Sequence, residues 1–194
     1  MTAFEYVLPL VSVLVGLALA DLAVSLHRLL RARRRVRWDW LPLAAALLAA
    51  LAVLNLWWGL FGSQGGTFYR TLGGFLPLAV QLVVLFLLNA AALPDAVPDG
   101  GLDLRAFYDA NGPYFWSLYA VLVAALVVHR VGALVAAGAS ASDLWSRLPV
   151  QNLLLIVLFV VLARVRRRGL HAVAVPGLLA LFLAEWAQLS LGPG

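Results

Sequence analysis

Apolar segments alternate with short polar segments along the whole chain. A helix needs about 20 consecutive apolar residues to cross the hydrocarbon core of a bilayer, and the apolar segments of this chain have about that length. We therefore predict an all-α polytopic membrane protein, a six-transmembrane-helix bundle that forms a single domain over residues 1–194. The predicted spans cover about residues 4–30, 40–61, 72–93, 114–135, 148–165 and 170–189.

The composition supports a lipid environment. Of the 194 residues, 64% are hydrophobic and 12% are charged, whereas a soluble domain is roughly one quarter charged. The chain has no cysteine, which excludes disulfides, thiolate metal sites and cysteine nucleophiles. The first apolar segment follows no basic stretch and does not end in an A-x-A-like site, so we expect it to be retained as a span.

The arginines predict how the spans are oriented. They cluster in loops 31–39 and 166–169, whereas the loops on the opposite side hold only Arg70 and Arg147. Because basic loops stay in the cytoplasm, we predict that these two loops and loop 94–113 are cytoplasmic and that both termini are periplasmic. The exclusive use of arginine as the basic residue is typical of a GC-rich bacterial genome, which favours a bacterial inner membrane.

This orientation accounts for the net charge of +5 without a nucleic-acid partner. The arginines after the first span also suit anionic lipid headgroups: Arg31, Arg33, Arg34 and Arg35. Loop 94–113 contains apolar residues that predict a short interfacial helix. The tripeptide Asn111-Gly112-Pro113 predicts a stop before the fourth span.

Similar dipeptides occur late in two spans. His27-Arg28 ends the first span and His129-Arg130 comes late in the fourth. Because the two dipeptides are offset by three spans, the two halves would have opposite orientations, as in the 3+3 inverted repeats of many transporters. Chance similarity in a Leu/Ala/Val-rich sequence is the alternative, and the pattern alone leaves both open.

Asp21 is a carboxylate inside the first apolar span. Ser25 and Arg28 follow it by four and seven residues, which places the three side chains on one helix face. A charged residue at membrane depth costs about 3 kcal/mol or more and normally faces the protein interior or a water-filled cavity. Asp21 is therefore either a protonatable or cation-binding group, or an interhelical pairing partner that fixes packing.

Other polar side chains lie within the predicted spans. Asn55 and Gln81 place amides in the second and third spans, and Glu185 lies near the periplasmic end of the sixth. We predict that Arg130 pairs with Glu185, because both lie at a similar level. Together with Asp21, Ser25 and Arg28, these residues predict a polar transport pathway, although amides also join membrane helices by hydrogen bonds of about 1 kcal/mol.

Motifs for enzymatic chemistry are absent from the sequence. It contains no G-x-S-x-G, no P-loop and no G-x-G-x-x-G motif, and its three histidines have no spacing that predicts a haem or metal site. We therefore predict no catalytic residue, no metal and no cofactor, and we disfavour an enzyme.

Several short motifs resemble a group of small six-span bacterial inner-membrane proteins. They are the N-terminal FEY, GLALAD followed by SLHRLLRARRRVRWDW, the pair Trp57-Trp58, and DLRAFYDANGPYF before the fourth span. The resemblance implies a six-span inner-membrane protein. It implies no activity and no catalytic residues.

Two functional hypotheses follow from the sequence. The first is a small ion- or proton-handling channel or transporter that acts as a homo-oligomer, with Asp21 as its central residue. The alternative is a non-transport scaffold, sensor or accessory subunit that binds a partner through its cytoplasmic loops.

Overall fold

The computed structural model describes residues 3–62, 72–140, 142–143 and 150–186. The predicted all-α class is confirmed. The described helices are α1 (Ala3–Arg31), α2 (Trp40–Gly62), α3 (Leu72–Ala92), α4 (Leu104–Ala136), α5 (Val150–Arg164) and α6 (Arg168–Trp186).

Five helices of the described part are long and apolar enough to cross a membrane. The exception is α5, whose 15 described residues extend about 22 Å at the helical rise, less than the roughly 30 Å of a hydrocarbon core. The sixth span therefore stays a prediction. The predicted span ends at 148–149 and 187–189 lie outside the described residues, as does the glycine-rich segment 63–71.

The outer surface of the bundle is apolar. Large side chains such as Leu154, Val128 and Val173 are 65%, 67% and 76% exposed in the isolated chain. Because soluble proteins rarely expose apolar patches on this scale, these side chains face lipid. The chain is an integral membrane protein.

Five of the helices form an incomplete ring. Helix α3 packs on α2 and α4, α5 packs on α4, and α6 packs on α2, while α1 lies outside the ring against α2 and α3. Helices α5 and α6 have few contacts with each other. The first three helices therefore all contact one another, whereas among the last three only α4 and α5 pack closely. This unequal packing does not confirm the 3+3 inverted repeat.

One end of the bundle carries three connections, residues 32–39, 93–103 and 165–167, which we call the loop end. Two short strands, β1 (Val36–Arg37) and β2 (Leu102–Asp103), pair in parallel there. Gly101 precedes β2 with a φ of 93°, and a Cβ at this position would lie 2.9 Å from the carbonyl oxygen of Arg35. Only glycine fits this approach without strain. The opposite end is called the far end below.

Helix α4 begins earlier than the sequence predicted. Asp103 caps it, with Oδ1 accepting from the backbone N–H groups of Arg105 at 2.8 Å and Ala106 at 3.1 Å. The Ala106 hydrogen bond lowers the pKa of the Asp103 carboxyl below its usual value, so the stabilisation by this cap is present at neutral pH and is lost on acidification through the lowered pKa. The cap leaves 93–103, rather than 94–113, as the connection between α3 and α4.

The predicted stop at Asn111-Gly112-Pro113 is wrong, because α4 continues through it. A proline within a helix removes one backbone hydrogen bond, yet Leu104 and Tyr108 upstream are buried against the bundle. Asn111 Nδ2 also donates to the carbonyl oxygen of Ala91. Packing of the first turns of α4 therefore outweighs the local stop signal.

Candidate binding cavity

A cavity of about 580 Å³ lies inside the incomplete ring, between α2, α3, α4, α5 and α6. It contains four of the predicted pathway residues, one from each of α2, α3, α4 and α6. Further polar side chains join them in the lining. The polar lining residues are Asn55, Gln81, Tyr119, His129, Arg130, Gln151, Asn152 and Glu185. Most of the other lining residues are Leu, Val and Phe.

Burial of the lining changes along the cavity. Its deep end, at Leu85, Tyr119 and Phe159, is buried, whereas Arg130 and Glu185 at the other limit are exposed. Helix direction places Arg130 late in α4 and Glu185 late in α6, both near the far end. The cavity therefore extends from the middle of the bundle to its far end and is sealed toward the loop end.

The deep end holds hydrogen-bonding groups that the protein does not fully use. Gln81 is 2% exposed, and its Nε2 donates to the carbonyl oxygen of Ala125 at 3.2 Å. Tyr119 is also 2% exposed, and its buried Oη has no hydrogen-bond partner among the described residues. Burying an unpaired hydroxyl costs about 1–3 kcal/mol, so an occupant of the cavity that bonds this group would recover that energy.

Two opposite charges line the far end without pairing. Glu185 Oε1 accepts from Gln151 Nε2 at 3.0 Å. Among the described ion pairs there is none between Arg130 and Glu185. The predicted Arg130–Glu185 pair is therefore wrong, because a neutral amide from α5 contacts the carboxylate instead.

An aromatic cluster forms the floor of the cavity. Trp116 is fully buried and stacks on Tyr119 and Phe159, with ring centroids 5.6 and 5.8 Å away. Tyr119 and Phe159 stack on each other at 4.8 Å. These rings join α4 to α5 and separate the cavity from the loop end.

A hydrogen-bond chain continues from this floor to the loop end. Trp116 Nε1–H donates to Tyr108 Oη at 3.1 Å. Tyr108 Oη lies 2.9 Å from His171 Nδ1, and His171 Nε2 lies 2.9 Å from the carbonyl oxygen of Val165. Because a carbonyl only accepts, Nε2 carries the proton, and Nδ1 accepts from the tyrosine hydroxyl. A neutral imidazole satisfies every group in this chain.

Ion pairs brace the loop end. Arg168 Nη2 contacts Asp39 Oδ2, and Asp39 Oδ1 accepts from the backbone N–H of Leu41 at 2.9 Å, which caps α2. The Arg168–Asp39 pair joins α6 to the connection between α1 and α2. Two more exposed pairs join the other connections: Arg35–Asp99 at 3.3 Å and Arg37–Asp103 at 3.3 Å.

The predicted group on α1 does not join the cavity. Asp21 is partly exposed and Ser25 is 3% exposed, and neither is in the cavity lining. Arg28 Nη1 donates to the carbonyl oxygen of Asp95 at 2.7 Å, so it holds a loop rather than the carboxylate. The structure thus divides the predicted pathway into the cavity group on α2, α3, α4 and α6 and the separate group on α1.

Tyr119 and the Trp116–Tyr108–His171 chain were missed by sequence reasoning. A usable signal was present, since Trp116 and Tyr119 carry polar atoms on the fourth apolar segment and such atoms seek partners when buried. Within the described residues, no group of three or more His, Asp or Glu side chains is placed to hold a metal ion.

The chain matches no protein-family model, no curated protein and no solved structure. The cavity is therefore the feature from which a function can be inferred. Its volume lies within the roughly 300–1,000 Å³ of small-molecule sites, and its apolar wall with a few polar groups is typical of them.

Proposed function

We propose that this chain is a membrane transporter whose substrate site is the central cavity. The observation that carries the proposal is the buried Tyr119 side chain, which lines the cavity and whose hydroxyl has no partner among the described residues. A site for a bound molecule needs hydrogen-bonding groups that the fold itself does not consume. Gln81 Oε1 and the Arg130 guanidinium are further groups of this kind.

Transport, rather than static binding, is supported by how the cavity is closed. Its charged limit lies at the far end, and the aromatic floor around Trp116 closes it toward the loop end. A polar site near the middle of the membrane, closed on one side, is what alternating access requires. This arrangement corresponds to the state of such a cycle in which the substrate site is open toward the far end and closed toward the loop end.

Transport was also the first sequence-based hypothesis, but the residues proposed to carry it are now different. Asp21 lies outside the cavity, so the central residues become Gln81, Tyr119, Arg130 and Glu185. One chain supplies the whole lining, so the pathway does not require a homo-oligomer. Cytoplasmic placement of the loop end and an inner-membrane location remain part of the proposal, on the strength of the arginine-rich connections.

Cysteine accessibility tests the proposal, because the chain has no cysteine. Gln81→Cys places a thiol in the cavity lining. Leu82→Cys is the matched control, since Leu82 is also 2% exposed but does not line the cavity. Exposed Arg33 at the loop end, as Arg33→Cys, reports which face of a proteoliposome the reagent reaches.

We expect a membrane-impermeant methanethiosulfonate to label Gln81→Cys from both faces, quickly from the far end and more slowly from the loop end. Leu82→Cys should react from neither face. Labelling from the far end alone, after exhaustive exposure, would contradict transport. Labelling from neither face would contradict the cavity and favour the scaffold alternative, in which the loop end binds a partner.

A further inference from the structure

In the described part of the chain, the ring around the cavity is incomplete between α5 and α6. Helix α5 packs on α4 and α6 packs on α2, while the two helices, joined by residues 165–167, have few contacts with each other. Among the described hydrogen bonds, the one between these helices is Gln151 Nε2 to Glu185 Oε1 at 3.0 Å. We call this gap the α5–α6 seam. In a bilayer it faces lipid, because both helices expose large apolar side chains such as Leu154 and Leu181.

The chemistry of the cavity matches an amphiphile rather than a free polar solute. Its middle is walled by Leu78, Leu122, Leu155 and Phe182, and its charges are confined to the far end. A polar solute would gain little from the apolar wall. A bilayer amphiphile would place its chain there and its headgroup at the charges.

We also place these charges at the depth of lipid headgroups. Arg130 and Glu185 lie near the far ends of α4 and α6, and Trp186 follows Glu185 directly. Tryptophan is enriched at the membrane–water interface, where its ring sits among headgroups. A lipid entering through the α5–α6 seam would therefore bring its headgroup to these charges without leaving its own leaflet.

The two charges select the type of headgroup. No described carboxylate pairs with Arg130, and Glu185 accepts from a neutral amide. A guanidinium binds phosphate with two parallel hydrogen bonds, and a carboxylate accepts from a primary ammonium. A headgroup that carries both groups satisfies both side chains, whereas an anionic headgroup leaves Glu185 facing like charge.

We propose that the cavity binds a zwitterionic phospholipid with a primary ammonium headgroup, which enters from the far leaflet through the α5–α6 seam. This inference rests on the proposed transport function and names its substrate class. Arg130 binds the phosphate, Glu185 binds the ammonium, and the lipid chain lies along the apolar middle of the cavity.

Native mass spectrometry of the purified protein in detergent tests the lipid class. The protein is given equal amounts of dioleoyl phosphatidylethanolamine, phosphatidylcholine and phosphatidylglycerol. We expect the ethanolamine lipid to be bound preferentially. Arg130→Gln and Glu185→Gln should each weaken its binding by about tenfold, which corresponds to 1.4 kcal/mol. Arg105→Gln, at an exposed arginine outside the cavity, should leave binding unchanged.

Equal binding of phosphatidylglycerol would overturn the zwitterionic requirement, and equal binding of phosphatidylcholine would overturn the primary ammonium. Water-soluble glycerophosphoethanolamine is a further probe. If it binds as tightly as the lipid, the bilayer is not the source.

Exchange with deuterated phosphatidylethanolamine tests the route. Gln151→Ala removes the hydrogen bond across the seam, so we expect lipid exchange to become several-fold faster, and an unchanged or slower rate would overturn the seam as the route.

Failure of this inference can be told apart from failure of the proposed function. If Gln81→Cys is labelled from both faces but the protein does not bind phosphatidylethanolamine preferentially, transport stands and the substrate class is wrong. If the protein binds phosphatidylethanolamine preferentially but Gln81→Cys is not labelled by reagent added at the loop end, lipid binding stands and transport is wrong.

Discussion

The two ends of the bundle use their polar residues differently. At the loop end, the polar side chains pair within the protein. Asp39 and Asp103 cap helices, and Tyr108 joins a hydrogen-bond chain. In the cavity that reaches the far end, the Tyr119 hydroxyl is buried without a described partner, and Arg130 has no described ion pair. Polar groups that pair within the protein stabilise the fold, whereas those left unpaired around a cavity are available to a ligand.

The contrast is sharpest along α4. Tyr108 and Tyr119 lie on the same helix, about three turns apart, and both are buried. The Tyr108 hydroxyl joins Trp116 to His171, whereas Tyr119 lines the cavity and its hydroxyl has no described partner. The fold thus needs one hydroxyl and tolerates the other.

The largest expected effect comes from breaking the floor that separates the two ends. Trp116→Ala removes a fully buried ring that stacks on Tyr119 and Phe159. We expect the free energy of unfolding to fall by about 3–5 kcal/mol, the usual cost of truncating a buried Trp or Phe. Thermal unfolding in detergent measures this loss. A drop below 1 kcal/mol would show that the floor is not part of the core.

A smaller effect is expected at the loop end from Asp39→Asn. The amide oxygen can still accept from Leu41 N–H, but the charge opposite Arg168 is lost, and the side chains of this pair are only 12% and 30% exposed. We expect a loss of about 1–3 kcal/mol in the same unfolding assay. The matched control is Asp99→Asn, which breaks the exposed pair with Arg35 and should not move the midpoint, because exposed pairs contribute little.

The smallest effect on stability is expected inside the cavity. Gln81→Leu removes one hydrogen bond to the Ala125 carbonyl, and such bonds contribute about 0.6 kcal/mol between membrane helices. We expect the free energy of unfolding to change by less than about 1 kcal/mol while transport of the substrate is lost. A loss of stability as large as that of Asp39→Asn would make Gln81 a structural strut.

The sequence predicted the helical class, and it also singled out four polar residues that line the cavity. Polar side chains within a membrane span must face the protein interior, so Asn55, Gln81, Arg130 and Glu185 could be grouped before their neighbours were known. The same reasoning grouped Asp21 with them although it does not line the cavity, because an apolar helix gives no pattern that shows which neighbour each face meets. Helix α1 lies outside the ring, and only its packing on α2 and α3 reveals this.

Two other features depended on contacts that sequence patterns do not contain. Helix α4 continues through Pro113 because Leu104 and Tyr108 pack against the bundle. The predicted Arg130–Glu185 pair is replaced by Gln151 because α5 places its first turn beside the end of α6. Both outcomes were decided by helix neighbours rather than by local propensity.

The most direct test of the account compares Tyr108→Phe with Tyr119→Phe in thermal unfolding. Tyr108→Phe leaves Trp116 Nε1 and His171 Nδ1 without their partner, at a cost of about 1–3 kcal/mol, so we expect the midpoint to fall by roughly 3–10 °C. Tyr119→Phe removes a hydroxyl with no described partner, so its midpoint should stay the same or rise. If Tyr119→Phe lowers the midpoint as much as Tyr108→Phe, the Tyr119 hydroxyl is structural and the cavity is not a binding site.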